Sequence, residues 1–183
     1  MRFVATPISS VWIVELEPAH DERGFFARSW CADEAAKHGI ELDTVQCSIS
    51  FSAKKGTLRG MHYQIAPHEE AKLVRCTSGA LVDVIVDVRP GSATYARSVQ
   101  VELSRANRRM VVVPKGCAHG FLTLEDDTEA FYQMSTAYAP AHARGFRWDD
   151  PFFSIRWPAP VAVISERDRS YPDFVAPASI PLQ

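Results

Sequence analysis

The sequence contains no apolar run that approaches the roughly 18 residues needed to cross a bilayer. Its first residues, MRFVATPISSVWIVELEP, alternate apolar and polar side chains. They lack the continuous apolar stretch and the small-residue cleavage site of a secretory signal. We therefore expect a cytoplasmic protein that has no membrane partner.

An excess of charge of either sign is also absent. The chain has 20 Lys and Arg and 22 Asp and Glu, so its formal net charge is −2. A protein with this charge has no extended positive electrostatic potential that would attract nucleic acid. An anionic ligand would have to be bound by a local group of arginines. The four cysteines, Cys31, Cys47, Cys76 and Cys117, form no C-x-x-C pair. Free thiols in a reducing cytoplasm are expected, with a disulfide as the open alternative.

Helical periodicity is scarce, and alternation with a period of two dominates. The segments LVDVIVDV (81–88) and SVQVELS (98–104) alternate strictly, and RRMVVVP, GFLTLE and EAFYQMS also predict strands. Turn signals rich in Gly, Pro and Asp separate these strands. Short helices are predicted over 31–39 and 165–171. This pattern predicts one all-β domain, a sandwich or jelly roll, over 1–183, with about 175–183 as a C-terminal tail.

The segment PKGCAHGF (114–121) has a P-x-G-x-x-H spacing that ends at His119. Together with His62 after an upstream glycine, it resembles the two sequence motifs of the cupins, double-stranded β-helices with an internal ligand cavity. A metal-binding cupin needs a second histidine two residues after the first, but Gln64 stands there. The glutamates that follow have Lys72 close behind them, and an amide beside an ammonium is a poor ligand set. We therefore expect no metal.

An acid–base centre suits the same residues better. His62 can accept a proton near neutral pH, Lys72 can stabilise an enolate oxygen, and Tyr132 can return a proton on the opposite face. Each residue also has a structural interpretation. The tyrosine could fill the core, the histidine could be a hydrogen-bonded strand residue, and the lysine could extend to solvent.

The stretch LRGMHYQ raises a geometric problem. Strict alternation places Arg59 and His62 on opposite faces of one strand. Both can face a cavity only if Gly60 introduces a bulge.

The chain as a whole resembles the dTDP-4-dehydrorhamnose 3,5-epimerase family. The resemblance runs from about residue 10 to about residue 174. It is carried by DERGFFARSW (21–30), GTLRGMHYQ (56–64), AKLVRCTSGALVDVIVDVRPGSATY (71–95), ELSRANRRMVVVPKGCAHGFLTLEDDTEAFYQMSTAYAP (102–140) and RWDDPFFSIRWP (147–158). It implies a cupin-type double-stranded β-helix (jelly roll) with short peripheral helices.

The resemblance also implies four catalytic residues. His62 would be the base that removes the protons at C5 and C3 of the sugar, and Asp168 the acid paired with it. Tyr132 would be the opposing acid, and Lys72 would lie near the developing enolate. On sequence grounds alone, Asp168 could equally be a solvated side chain in the charged turn SERDRSYP.

Further positions match residues that bind the substrate in this family. They are Arg23, Arg59 and His119 for the diphosphate and sugar, Phe26 and Tyr138 for the base, and Gln46 and Arg167 as additional contacts.

Several binding positions depart from the family pattern. Many members have a glutamate that recognises thymine where this chain has Arg28, and a cation cannot accept the imide hydrogen. A common asparagine is Ser48 here, a common lysine is Arg167, and a usual glutamine is Glu70. The catalytic set is intact and the base-recognition set is altered.

The family is typically homodimeric, with N-terminal strands that cross into the partner. The resemblance therefore implies a homodimer in which residues near 23–28 serve the neighbouring subunit's site.

The resemblance implies a metal-independent, cofactor-independent 3,5-epimerase of a nucleoside-diphosphate 4-keto-6-deoxyhexose, most simply the dTDP sugar. An enzyme that inverts C3 alone is the nearest alternative, followed by a keto-sugar isomerase. A non-catalytic sugar-nucleotide-binding cupin and a metal-dependent cupin oxygenase represent other classes.

Overall fold

Alternating side chains produce a protein made mostly of short strands. The computed structural model describes residues 1–176, so residues 177–183 of the predicted tail lie outside the described part. The strands are β1 (Arg2–Ala5), β2 (Trp12–Glu15), β3 (Ala19–Asp21), β4 (Gly24–Phe26), β5 (Gln46–Ser52), β6 (Thr57–Gln64), β7 (Lys72–Ser78), β8 (Ala80–Asp87), β9 (Ser98–Ser104), β10 (Met110–Val113), β11 (Cys117–Thr123), β12 (Thr128–Met134), β13 (Ala143–Gly145) and β14 (Val163–Ile164).

Helices are few and peripheral, as predicted. They are α1 (Ala32–Ala36), a 3₁₀ turn (Pro140–His142) and α2 (Glu166–Arg169). Within residues 1–176, no helix is both long enough and apolar enough to span a membrane. The four cysteines are free thiols, which confirms that prediction.

The strands form two sheets and a separate hairpin. The first sheet has the order β1-β2-β10-β7-β12-β5, and the second has the order β13-β6-β11-β8-β9, with β14 parallel to β6. Strands β3 and β4 pair with each other as a two-stranded hairpin. This two-sheet arrangement is the predicted all-β jelly roll, and most ladders join strands distant in sequence.

The main core lies between the two sheets. Val74 on β7 and Ala130 on β12 pack in one buried cluster with Leu81 and Ile85 on β8 and Phe121 on β11. Toward β5 the inward-facing residues become polar, and the space between the sheets opens into a cavity. The same alternation therefore builds the core at one end of the sandwich and a binding space at the other.

Both sheets are also covered on their outer faces. Residues of α1 and the loop after it cover β2, β7 and β10 of the first sheet. The chain after β13 covers the valines of β8, with Phe146 and Phe153 buried there and Phe174 packed against them. This second cover leads directly into the region of α2, which contributes to the cavity.

Asp87, at the end of β8, is fully buried and organises the following turn. Its carboxylate accepts hydrogen bonds from Arg89 Nε at 2.8 Å, Ser92 Oγ at 2.6 Å and Thr94 Oγ1 at 2.6 Å. Burial opposes ionisation, but these donors outweigh it and lower the pKa of Asp87 to about 2. The charged form is therefore the one that stabilises the fold.

We expect Asp87→Asn to lower the free energy of unfolding by about 2 kcal/mol at pH 7. Since the pKa is depressed in the folded state, this stabilisation is present above pH ~4 and disappears as the pH falls toward ~2. Urea titrations of both proteins across that range would measure the difference. A deficit that stayed constant down to pH 2 would contradict the ionic origin.

Candidate active site

Nine of the twelve sequence-predicted site residues line one cavity of about 730 Å³ between the sheets. This volume suits a small-molecule ligand. The nine are Gln46, Arg59, His62, Lys72, His119, Tyr132, Tyr138, Arg167 and Asp168.

A bulge in β6 brings Arg59 and His62 to the same cavity. His62 lies opposite His119 of β11, and Arg59 lies opposite Phe121, so two residues of β6 face Gly120 alone. Gly60 has φ +134°, and a Cβ there would lie 2.4 Å from the Gly120 Cα. Only glycine combines this conformation with this close approach. The bulge that the sequence required is confirmed.

His62 is paired with Asp168 across 106 residues of sequence. The His62 Nε2 lies 2.7 Å from Asp168 Oδ1, and Asp168 Oδ2 accepts the Gly60 N–H at 3.1 Å. Ser165 caps α2 by accepting the Asp168 N–H, which fixes the turn that presents the carboxylate. Asp168 is thus a buried partner of the histidine and not a solvated residue of a charged turn.

The electrostatics of this pair favour a carboxylate. Burial acts to raise the pKa of Asp168, but the hydrogen bonds from His62, Gly60 and Ser165 lower it below its ordinary value. Because Asp168 occupies Nε2, Nδ1 is the His62 nitrogen left to accept a proton.

Tyr132 approaches the cavity from the other sheet. It lies on β12 of the first sheet, whereas His62 lies on β6 of the second. Its ring packs against Phe121 and His119, with ring centroids 6.5 Å and 6.1 Å away. Burial, with Asp83 adding to it, raises the pKa of Tyr132 well above its ordinary value. The phenol therefore keeps its proton at neutral pH.

Lys72 points into the cavity instead of extending to solvent. Its Nζ lies 2.9 Å from Glu70 Oε1 and 3.1 Å from His119 Nε2. His119 Nδ1 in turn lies 3.3 Å from Asp83 Oδ1. The lysine is therefore a buried cation held by one carboxylate and one imidazole.

The remaining cavity residues hold fixed positions. Arg59 donates to the Phe51 carbonyl at 2.8 Å, and Gln46 Oε1 accepts the Tyr138 N–H at 3.1 Å. Arg167 donates from Nε to the Tyr171 hydroxyl at 3.0 Å. These contacts place two guanidinium groups and an exposed aromatic ring along the cavity wall.

Three predicted binding residues lie outside the cavity of their own chain. Arg23 pairs with Asp21 on the β3–β4 hairpin, and Phe26 is 79% exposed at its end. Arg28 donates to Glu34 Oε1 at 2.5 Å. None of the three lines the cavity that holds His62.

Sequence reasoning assigned no role to Asp83 or Tyr171. Asp83 is fully buried on β8 behind His119, and Tyr171 holds Arg167 and packs against His62 at 6.2 Å between ring centroids. A signal for Asp83 was present, because an aspartate inside the apolar run LVDVIVDV must find a buried partner. Nothing in the local sequence distinguishes Tyr171.

Among residues 1–176, no group of three or more His, Cys, Asp or Glu side chains is arranged to hold a metal ion. The assembled groups are a histidine–carboxylate pair, a phenol on the facing sheet and a buried ammonium. Such a set can remove a proton beside a carbonyl, hold the oxyanion and return a proton from another direction.

Comparisons with known proteins agree on one family. The sequence model for dTDP-4-dehydrorhamnose 3,5-epimerase matches residues 5–176. The enzyme of that name from Sinorhizobium fredii is 43% identical over 175 residues, which cover 95% of this chain and 90% of the relative.

Solved structures give the same result. The crystal structure of dTDP-4-dehydrorhamnose 3,5-epimerase from Elizabethkingia anophelis superposes with a TM-score of 0.92 at 35% identity, covering 95% of this chain and 96% of its own. The dTDP-6-deoxy-D-glucose-3,5-epimerase of Legionella pneumophila, solved with dTDP-4-keto-L-rhamnose, gives a TM-score of 0.85 at 37% identity, with coverage of 91% and 89%.

Proposed function

The chain belongs to the dTDP-4-dehydrorhamnose 3,5-epimerase family, and on that premise we propose that it inverts C3 and C5 of dTDP-4-dehydro-6-deoxy-D-glucose to give dTDP-4-dehydro-L-rhamnose. The observation that carries the proposal is the His62–Asp168 pair at 2.7 Å, which faces Tyr132 from the opposite sheet. Base and acid on facing sheets suit removal of a proton from one side of a carbon and its return from the other.

The first step uses His62 as the base. The carbons C3 and C5 both adjoin the C4 ketone, so breaking a C–H bond there moves the electron pair into an enolate. His62 Nδ1 takes the proton, and the Asp168 carboxylate stabilises the imidazolium and holds the ring. The Lys72 ammonium stabilises the negative charge on the C4 oxygen.

The second step uses Tyr132 as the acid. Its O–H proton passes to the opposite face of the same carbon, a new C–H bond forms and the ketone returns. Solvent reprotonates the phenolate, and His62 releases its proton. The reaction needs no redox cofactor because no atom of the sugar changes its oxidation state overall.

The nucleotide is bound at the mouth of the cavity. Arg59 and Arg167 supply guanidinium groups for the diphosphate, and Tyr138, which is 49% exposed, offers a ring face for the base. The side-chain oxygen of Gln46 accepts a hydrogen bond from the backbone N–H of Tyr138. We also propose that His119 contacts the sugar.

We propose that the protein is a homodimer with exchanged N-terminal strands. Strand β5 has polar side chains facing inward and apolar side chains facing outward. Ser48 and Ser50 line the cavity. Ile49 and Phe51 are 63% and 53% exposed on the outer face. Exposed apolar side chains on an edge strand favour a protein partner. The hairpin that carries Arg23, Phe26 and Arg28 would then reach the cavity of a second copy.

A cytoplasmic location completes the proposal. It is supported by the four free thiols, which suit a reducing compartment.

Incubation with dTDP-4-dehydro-6-deoxy-D-glucose in heavy water tests the reaction. We expect deuterium at both C3 and C5 and formation of the L-sugar, followed by NMR and mass spectrometry. Deuterium at C3 alone would identify a C3-only epimerase. Binding of dTDP without any exchange would support the non-catalytic alternative and contradict the proposal.

Tyr132→Phe should separate exchange from inversion. Without the phenol, His62 still removes the proton and returns a deuteron to the same face, so recovered substrate gains deuterium while epimerisation slows by about 10²–10³-fold. Tyr95→Phe is the matched control, because the buried Tyr95 hydroxyl has no hydrogen-bond partner in the described part of the chain. Equal loss of exchange and inversion in Tyr132→Phe would show that the phenol is not specific to the second step.

A further inference from the structure

Asp83 occupies an unusual position for a charged residue. It lies within β8 and is 0% exposed. Within residues 1–176, only one of its carboxylate oxygens has a hydrogen-bond partner. That partner is Nδ1 of His119, at 3.3 Å from Oδ1. A buried carboxylate with an unpartnered oxygen destabilises a fold, so its presence needs a reason other than stability.

The contacts of His119 determine which of its nitrogens carries the proton. Its Nε2 lies 3.1 Å from Lys72 Nζ, and an ammonium can only donate, so Nε2 must be the acceptor. The proton of the neutral ring then belongs on Nδ1, where it is donated to Asp83. The chain Asp83–His119–Lys72 therefore has one consistent direction: Lys72 donates to Nε2 of His119, and Nδ1 of His119 donates to Asp83.

This direction leaves one N–H of Lys72 for a ligand. One of its three donors is accepted by His119, and the Glu70 carboxylate forms an ion pair with Nζ at 2.9 Å. Within the described residues, Nζ makes no other hydrogen bond or ion pair, so a donor remains for a ligand. A protonated His119 would turn Nε2 into a donor, and two donors would then face each other.

We propose that Asp83 is a positioning residue: by holding the His119 proton on Nδ1, it keeps Nε2 as an acceptor that orients Lys72 toward the reacting carbonyl. The proposal rests on the function proposed above for Lys72. Asp83 does not touch the substrate and acts through two intervening side chains. Burial and the nearby Lys72 cation lower the pKa of His119, in agreement with a neutral ring.

A direct measurement on the unaltered protein tests the first half of the proposal. With ¹⁵N-labelled histidine, the His119 signals, identified by their loss in His119→Gln, should show Nδ1 protonated and Nε2 unprotonated at pH 7. An Nε2–H tautomer or an imidazolium would overturn the proposal. This measurement requires no substrate, so it remains decisive even if the protein proves inactive on the dTDP sugar.

Asp83→Asn tests the second half. An amide can donate or accept, so it no longer specifies the tautomer of His119. We expect kcat to fall roughly 10- to 100-fold, as is typical when a carboxylate that orients a functional histidine is removed, with KM changed less than about threefold. The Nδ1–H signal should weaken in parallel.

Asp87→Asn is the matched control, since Asp87 is equally buried on the same strand but binds only a turn outside the cavity. We expect opposite results: Asp83→Asn loses kcat and keeps its stability, whereas Asp87→Asn loses stability and keeps kcat. Full activity in Asp83→Asn, or a rise in KM alone, would overturn the proposal. If Asp83→Asn does not fold, the His119 signals of the unaltered protein decide.

Discussion

His62→Ala should abolish deuterium entry at both C3 and C5 of the keto sugar, with kcat/KM lower by on the order of 10³–10⁴. The loss follows from the structure, because the imidazole of His119 and the amine of Lys72, which also line the described cavity, have their nitrogens engaged by other protein groups. The Nζ of Lys72 contacts Glu70 and His119, and both ring nitrogens of His119 have protein partners. Neither can replace Nδ1 of His62.

Deuterium exchange in the two variants distinguishes the base, His62, from the acid, Tyr132. Tyr132→Phe should still exchange deuterium into unconverted substrate, whereas His62→Ala should exchange none. Binding of dTDP, measured by calorimetry, should change little in His62→Ala because the residues proposed to bind the nucleotide, Arg59, Arg167 and Tyr138, do not include His62.

The matched control is His38→Ala. His38 stacks on Phe3 at 4.5 Å between ring centroids, beside α1 on the outer face of the first sheet. Its removal should leave exchange unchanged. Residual exchange in His62→Ala close to that of the unaltered protein would mean that another group removes the proton.

Gly60→Ala should lower the free energy of unfolding by about 3 kcal/mol or more. Two effects add here: φ of +134° is unfavourable for any side chain, and the new Cβ would lie 2.4 Å from the Gly120 Cα. Because β6 and β11 would have to separate, Arg59 and His62 should also lose their common orientation, and kcat should fall. Chemical denaturation and the heavy-water assay would measure both effects.

Gly24→Ala isolates the conformational part of that effect. Gly24 has a similar φ of +123°, but an added Cβ would meet nothing within 4 Å. We expect a loss of only about 1 kcal/mol. Equal losses in the two variants would show that the close contact between β6 and β11 contributes nothing.

Much of the fold could be predicted because it depends on local alternation. SVQVELS predicts a strand whose bounds match β9, and the short helices α1 and α2 fall within the predicted segments. The bulge at Gly60 could also be predicted. Arg59 and His62 are three positions apart on one strand, and both can face the cavity only if a bulge interrupts the alternation.

The pairings within the site could not be derived from local pattern. Nothing near Asp168 indicates that α2 will lie against β6, because that contact depends on the whole segment packed over β8. Lys72 would ordinarily reach solvent, and only the buried Glu70 and His119 keep it inside. The outward apolar face of β5 likewise becomes visible only when the sheet order is known.

The pairing of His62 with Asp168 also bears on how the protein is made. Within residues 1–176, every sheet strand except the two-residue β14 is complete by Gly145, whereas the carboxylate paired with His62 follows later in the chain. As a ribosome delivers the chain from its N-terminus, both sheets can pair and enclose the cavity before Asp168 has emerged. A prematurely terminated chain could therefore form most of the barrel while its histidine remains unoriented, so epimerase activity would appear only in molecules whose synthesis has run past Asp168.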